Sequence, residues 1–243
     1  MTSEFTREEL AAALDEAVRD ALDEAGICYP PVDAIAVASA LGLTIATDDR
    51  QAGRARFVRL REGEAAEHGS ILVRPEPRPE RLQWAIAHEI GESRVERVFA
   101  RLSIEPHEVG GRDREQLANQ LANRLLLPRA WFERDALRCN WNLLTLKSTY
   151  ATASHELIAR RMLDFAPPVI ITVFDNGRQT WRQSNVAGRV PPLAPPEHDC
   201  WQLAHETGKP HSDEISAAKI DAWPIHEPAW KREIVRTALA DAD

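Results

Sequence analysis

One ten-residue stretch, QWAIAHEIGE at positions 83–92, contains residue types that can bind a metal ion and support hydrolysis. His88 and Glu92 are four residues apart, so on a helix both side chains project from one face and can reach the same ion. Glu89 lies about 100° round the helix from His88. In zinc peptidases the carboxylate at this position acts as general base and is not a ligand. The pattern therefore predicts a metal site with a catalytic carboxylate beside it.

The dipeptide His-Glu does not by itself indicate a metal site, because it also begins at His107, His155, His205 and His226. Only the copy at His88 is followed four residues later by an acidic or imidazole side chain within a long amphipathic helix. His107 lies in the loop after that helix and is the one nearby alternative imidazole. Loop histidines more often face solvent, and metal sites generally place their ligands on rigid elements. The other histidines lack ligand spacing, and we interpret them as structural.

A third ligand is expected on the next helix, where zinc hydrolases of this type often carry it. Glu115 is the candidate, because it begins a helix face that continues through Ala118 and Asn119 at spacings of three and four residues. Alanines on that face would allow two helices to approach closely, so that the Glu115 carboxylate reaches an ion held by the preceding helix. The predicted metal ligands are His88, Glu92 and Glu115.

Two blocks of the sequence, RPERLQWAIAHEIGE followed by EQLANQLANRLLLP, resemble the ImmA/IrrE family of metallopeptidases. The resemblance extends over about residues 30–165. It implies a zincin-like fold with Zn2+ as cofactor, metal ligands at the three positions named above, and Glu89 as the catalytic residue. It further implies a cytoplasmic endopeptidase whose protein substrate is a helix-turn-helix transcriptional repressor.

The chain departs from the family pattern at Glu92, which stands where a second histidine is expected. One imidazole and two carboxylates still supply three ligands and leave one position open, so hydrolysis remains possible. The second carboxylate neutralises more of the ion's charge and weakens it as a Lewis acid. This predicts slower chemistry, or a shift towards harder ions such as Mn2+ or Fe2+. The alternative is a catalytically inactive regulatory or protein-binding module that retains the zincin-like scaffold.

The elements that must position these residues indicate an α+β fold, with a small sheet packed on the motif helix. A first helix begins at a capping box formed by Thr6 and Glu9. The motif helix covers about 79–99, and a second helix runs through REQLANQLANRLLL to Pro128. Strands are predicted at 43–46, 54–60 and 69–74, the last two as an antiparallel pair.

The rest of the chain is predicted to be partly helical and partly extended. Two short helices around YATAS resemble a helix-turn-helix shape. The dipeptide Asn176-Gly177 predicts a hairpin. The Pro-rich segment 188–200 is typical of a linker or covering strand, and an amphipathic helix is expected near 228–240.

The predicted domain organisation has two parts, divided near Pro167 and Pro168. A zincin-like domain occupies 1–166, and a C-terminal accessory region occupies 167–243. Within the first part, the metal-site core covers about 30–138 and the helix-turn-helix-like segment about 139–166.

Charge and composition bear on partners and location. The net charge of −8 argues against a general nucleic-acid binder, and the basic pair Arg160 and Arg161 is flanked by Glu156 and Asp164. Direct nucleic-acid binding is not expected, so a DNA-binding transcription factor is the less favoured hypothesis. The three cysteines form no CxxC pair, and the longest apolar run, VIITVF, is too short to cross a bilayer. Together with the acidic, apolar-poor N-terminus, these features favour the cytoplasm and no membrane partner.

Overall fold

The computed structural model has a mixed α+β fold, in which the chain divides into two compact units. The N-terminal unit comprises Met1–Arg138 and Ser148–Ser154, and the C-terminal unit comprises Cys139–Lys147 and His155–Asp243. Most of the predicted helix-turn-helix-like segment thus lies with the C-terminal unit. The residues that the structure describes are 5–50, 53–60, 68–165, 167–215 and 218–239.

Helices predominate in the N-terminal unit, together with one small sheet. The predicted capping box at its start is confirmed, since the Thr6 hydroxyl accepts a hydrogen bond from the Glu9 N–H at 3.1 Å and the Glu9 carboxylate accepts one from the Thr6 N–H at 2.6 Å. The elements in chain order are α1 (Arg7–Glu24), α2 (Ala34–Ala40), β1 (Thr44–Thr47), β2 (Ala55–Leu60), β3 (His68–Val73), α3 (Pro79–Leu102), α4 (Gly111–Leu126) and α5 (Arg129–Arg138).

The small sheet has the strand order β1-β3-β2, with β2 at one edge of the described residues. The predicted antiparallel pairing of β2 with β3 is confirmed, with Phe57 opposite Ile71, whereas β1 runs parallel to β3. The motif helix α3 begins at Pro79 as predicted and extends to Leu102, a few residues farther than predicted. In α4 an apolar row consisting of Leu117, Leu121 and Leu125 is buried.

The C-terminal unit is built around an antiparallel sheet of five strands, in the order β5-β4-β8-β7-β6. The predicted hairpin is confirmed, since β4 and β5 are joined at Asn176 and Gly177, with φ angles of 48° and 78°. The elements after α5 are α6 (Leu143–Thr149), α7 (His155–Arg161), β4 (Val169–Asp175), β5 (Arg178–Ser184), α8 (Pro195–Thr207), β6 (His211–Ile215), β7 (Ala218–Glu227) and β8 (Trp230–Leu239).

One prediction for the C-terminal unit was wrong, and another was only partly right. The segment near 228–240 is not a helix, because β8 pairs with β4 on one side and with β7 on the other. Its β-branched Ile234, Val235 and Thr237 are buried and favour the strand. The Pro-rich segment is only partly a linker, because Pro195 and Pro196 occupy the first helical positions of α8, where a missing N–H is tolerated.

Across the described ranges, we find no helix that combines the length and apolar character needed to cross a bilayer.

Candidate metal centre

The helices α3 and α4 run antiparallel, and their facing side chains meet in three successive pairs. The Trp84 indole N–H donates to the Asn123 side-chain oxygen at 3.0 Å. One turn farther along α3, His88 Nδ1 lies 3.1 Å from Asn119 Oδ1. One turn farther again, Glu92 faces Glu115 across the same helix pair. The spacing of four residues on each helix therefore brings Glu92 and Glu115 together one turn from His88.

Close approach of the two helices depends on Gly91. A Cβ atom at this position would lie 2.7 Å from the backbone oxygen of Ala118 and 3.2 Å from Leu121 Cβ. Because the nearest atom belongs to the backbone of α4, relief of this clash would require the two helices to move apart. The absent side chain thus lets the carboxylate of Glu115 reach the face that carries His88.

We expect Gly91→Ala to destabilise the protein by about 1–2 kcal/mol, because the clash with α4 outweighs the gain in helix propensity of about 1 kcal/mol. The Tm in thermal unfolding measures the effect. Gly111→Ala is the matched control, since Gly111 is helical and a Cβ atom added there would meet no other atom within 4 Å. If Gly91→Ala melts at or above the temperature of Gly111→Ala, the packing argument is wrong.

The imidazole of His88 is oriented by two neighbours. Asn119 accepts a hydrogen bond from Nδ1, which fixes the tautomer and leaves the Nε2 lone pair for an ion. The Trp84 ring stacks on the imidazole with a centroid separation of 5.5 Å and an interplanar angle of 28°. Nε2 lies 3.5 Å from Glu115 Oε1. The histidine is therefore aimed at the carboxylate that was predicted as its partner ligand.

The three predicted ligands are brought together by the fold. One ligand atom from each of His88, Glu92 and Glu115 lies within 4.8 Å of the other two. His88 and Glu92 are half-buried, whereas Glu115 is exposed. One imidazole nitrogen and two carboxylate oxygens form a donor set that fits a divalent ion and would leave one of four coordination positions open.

Glu89 lies beside these ligands, with 7% of its surface exposed. Its Oε2 accepts a hydrogen bond of 2.5 Å from the backbone N–H of Phe57 on β2. Burial raises the pKa of the Glu89 carboxyl, and the nearby Glu92 and Glu115 carboxylates act in the same direction, against the lowering effects of His88 and the Phe57 N–H. The predicted base is thus held next to the ligand cluster without belonging to it.

An open cleft of about 650 Å³ gives access to the cluster. One wall is the edge strand β2 with the residues just before it, and the other is α3 together with Glu115. The alternative imidazole named from the sequence, His107, lies exposed in a short 3-10 turn after α3 and is not part of the cluster.

Sequence reasoning missed three groups at this site. The Phe57 N–H has no side-chain signature, and the stacking of Trp84 on His88 was not predicted. Asn119 is predicted from the sequence only as part of a helix face, although its position four residues after Glu115 places it opposite His88. That spacing is the signal that could have identified it.

Comparison with known proteins bears on the fold and gives no information on the chemistry. No family model matches the chain, and no curated protein matches it. Among solved structures, the chain is similar to a Mycobacterium tuberculosis transcriptional regulator, with a TM-score of 0.65 and 17% identity over 94% of this chain and 76% of that chain. At this level of identity, the similarity shows a shared fold alone.

Proposed function

We propose that the protein is a metal-dependent endopeptidase with a zincin-like N-terminal unit, similar to the ImmA/IrrE family. The observation that carries the proposal is the meeting of His88, Glu92 and Glu115 within 4.8 Å beside the buried Glu89. Three ligands with one open position, next to a carboxylate that is not a ligand, make up the set that metal-assisted peptide hydrolysis requires.

The ion would be Zn2+, or another divalent ion such as Mn2+ or Fe2+, held by His88, Glu92 and Glu115. When bound, such an ion would polarise the scissile carbonyl and make a water molecule easier to deprotonate for attack on it. Asn119 contributes by holding the imidazole in the tautomer that presents Nε2.

Glu89 is the general base of the proposed reaction. Its Oε2 is engaged by the Phe57 N–H, so Oε1 is the oxygen that takes the proton from the attacking water and passes it to the leaving amine. Burial of this carboxyl strengthens its interactions with the reacting groups, because bulk water screens them less.

The edge strand β2 is the proposed docking site for the peptide. An extended segment of substrate can add to a sheet edge through main-chain hydrogen bonds, and the Phe57 N–H points into the cleft at this edge. The proposed substrate is a helix-turn-helix repressor in the cytoplasm, as the family resemblance implies.

The basic pair Arg160 and Arg161 does not favour direct nucleic-acid binding. The Arg160 guanidinium pairs with Glu156 at 2.6 Å and lies 4.2 Å from the centroid of the Trp181 ring. Arg161 is buried and pairs with Asp164 at 2.5 Å. Both guanidinium groups are thus occupied by packing and ion pairs within the C-terminal unit.

Metal analysis and a cleavage assay on the same preparations test the proposal. The wild-type protein should hold a divalent ion at this centre and cut a helix-turn-helix repressor encoded by a neighbouring gene, whereas His88→Ala should lose the ion bound at this centre and should not cut the repressor. Chelation should stop cleavage, and addition of the ion should restore it. A wild-type protein that binds no ion at His88 and cuts no such repressor would overturn the peptidase proposal.

A second candidate function is a regulatory module that does not cut peptides, and Glu92 is the residue that favours it. A second carboxylate in place of an imidazole weakens the ion as a Lewis acid. The name of the structurally similar Mycobacterium tuberculosis protein, a transcriptional regulator, is compatible with either candidate.

Glu92→His separates the two candidates. We expect the change to shift the ratio of Zn2+ to Mn2+ affinity towards zinc by on the order of tenfold, because it replaces a hard oxygen donor with an imidazole. If the wild type is a slow peptidase, the variant should also cut faster. Competition titration with the two ions measures the first effect, and Glu92→Gln, which should bind both ions more weakly, is the control. An unchanged metal preference would show that Glu92 is not a ligand.

A further inference from the structure

A second cluster of potential metal ligands lies in the C-terminal unit, on three different elements. His205 is on α8, His226 on β7 and Glu233 on β8, and one ligand atom from each lies within 4.8 Å of the other two. We propose that these residues form a binding site for a divalent first-row transition-metal ion. The site has no part in the proposed peptidase reaction and does not depend on it.

Two imidazoles approach the same carboxylate oxygen. His205 Nδ1 lies 2.9 Å from Glu233 Oε1, and His226 Nε2 lies 2.6 Å from the same atom. Around a tetrahedral zinc ion with bonds of roughly 2.0–2.1 Å, neighbouring donor atoms are about 3.4 Å apart. Each imidazole nitrogen therefore needs to move away from Glu233 Oε1 by less than about 1 Å for an ion to bind between them. Such a shift lies within the reach of small side-chain rotations.

The Glu233 carboxylate is buried and held by a hydrogen bond, whereas the two imidazoles are partly exposed to solvent. Glu233 has no exposed surface, whereas 27% of the His205 side chain and 23% of the His226 side chain are exposed. The Trp201 indole N–H donates to Glu233 Oε2 at 3.2 Å, which leaves Oε1 for the ion. This bond is the kind of outer-shell contact that orients a carboxylate ligand.

The donor set determines the class of ion. Two imidazole nitrogens favour Zn2+, Ni2+, Cu2+ or Fe2+, while Mg2+ and Ca2+ prefer oxygen ligands alone. Because the ligands come from α8 and from both strands of the β7–β8 hairpin, a bound ion would tie the helix to the sheet. The folded state would then be stabilised in proportion to occupancy.

The same contacts could serve only to satisfy a buried carboxylate, and a titration separates the two roles. Zn2+ is titrated into full-length, metal-free His88→Ala/Glu115→Ala protein, in which the candidate metal centre is disabled. We expect about one equivalent of Zn2+ to bind, and His226→Ala or Glu233→Gln to weaken this binding by more than about 100-fold, beyond the loss typical of outer-shell partners. Mg2+ should not compete. Circular dichroism confirms folding, and the partly exposed His226 provides a variant if Glu233→Gln is unstable.

His198→Ala is the matched control. His198 lies on the same helix as His205, and its ring is 5.2 Å from that of Trp201, but it is not in the cluster. Its removal should leave zinc affinity unchanged. Zinc binding that is absent from the His88→Ala/Glu115→Ala protein, or that is equally strong after His226→Ala, would overturn the proposal.

Fluorescence gives a second and local readout. Trp201 contacts Glu233 through its N–H and lies 5.5 Å from the His205 ring, so binding of the quenching ion Co2+ should lower its emission. The measurement is made on the His88→Ala/Glu115→Ala protein, and the drop should disappear when Trp201→Phe or His226→Ala is added. Quenching at Trp201 in this protein, together with no peptide cleavage by the wild type, would uphold this site and overturn the peptidase. Cleavage by the wild type without quenching would do the reverse.

Discussion

Glu89→Gln is expected to lower the rate of repressor cleavage by about 10²–10⁴-fold, the usual contribution of a general base. Gln is nearly isosteric with Glu, and its side-chain oxygen still accepts the hydrogen bond from the Phe57 N–H. It cannot, however, accept a proton from water at neutral pH. Because Glu89 is proposed as the base and not as a ligand, the content of bound ion should not change. Rates of cleavage and metal analysis, measured on the same preparation, check both parts of this prediction.

Glu96→Gln is the matched control for this change. Glu96 lies on the same helix, farther from the cleft, and is 3.9 Å from Arg114 with about half of its side chain exposed. Removing its charge should leave cleavage within a factor of about two or three, as for most surface substitutions. Glu89→Gln that cuts at nearly the wild-type rate would exclude Glu89 as the base. Loss of the ion in Glu89→Gln would instead indicate a structural role.

The candidate metal centre could be predicted because its parts are local. His88 and Glu92 lie on one turn of one helix, and Glu115 lies on the next helix along the chain, so helical spacing alone brings them together. The contribution of Phe57 could not be predicted in this way. Its N–H reaches Glu89 from a strand 32 residues earlier, and the position of that strand depends on the packing of the whole sheet.

The second cluster was missed because the secondary structure of its last element was predicted wrongly. On a helix over 228–240, Glu233 would have no fixed relation to His226. In the observed hairpin, Glu233 pairs with Pro224, and His226 lies two residues farther along the same strand and therefore on the same face. The β-branched residues of β8 were the available signal, but the helical spacing of its apolar residues competed with it.

The start of the helix α8 is attached to the sheet by the buried carboxylate of Glu197. Arg182 on β5 donates two hydrogen bonds to it, at 2.8 and 3.1 Å, and the side chains of this ion pair are only 6% and 4% exposed. The Thr237 hydroxyl on β8 also donates to it, as does the Ala194 N–H at 2.8 Å, which caps the start of the helix. One side chain therefore joins the helix start to two strands.

Glu197→Ala is expected to destabilise the protein by about 3–5 kcal/mol, because it leaves the Arg182 charge buried without its counter-charge. A fall in Tm on the order of 10 °C should follow, and thermal unfolding measures it. Arg182→Met/Glu197→Leu should recover much of the loss, because replacing both charges by apolar groups removes the unpaired charge.

Glu206→Ala is the control for the loss of Glu197. Glu206 is exposed on the same helix and accepts a hydrogen bond from Gln202 at 2.8 Å, so its removal should change stability by less than about 0.5 kcal/mol. If Glu197→Ala melts at nearly the same temperature as Glu206→Ala, the ion pair does not hold α8 in place. The position of α8, and with it that of His205, would then depend on the packing of Trp201 on Phe174, whose ring centroids are 4.6 Å apart.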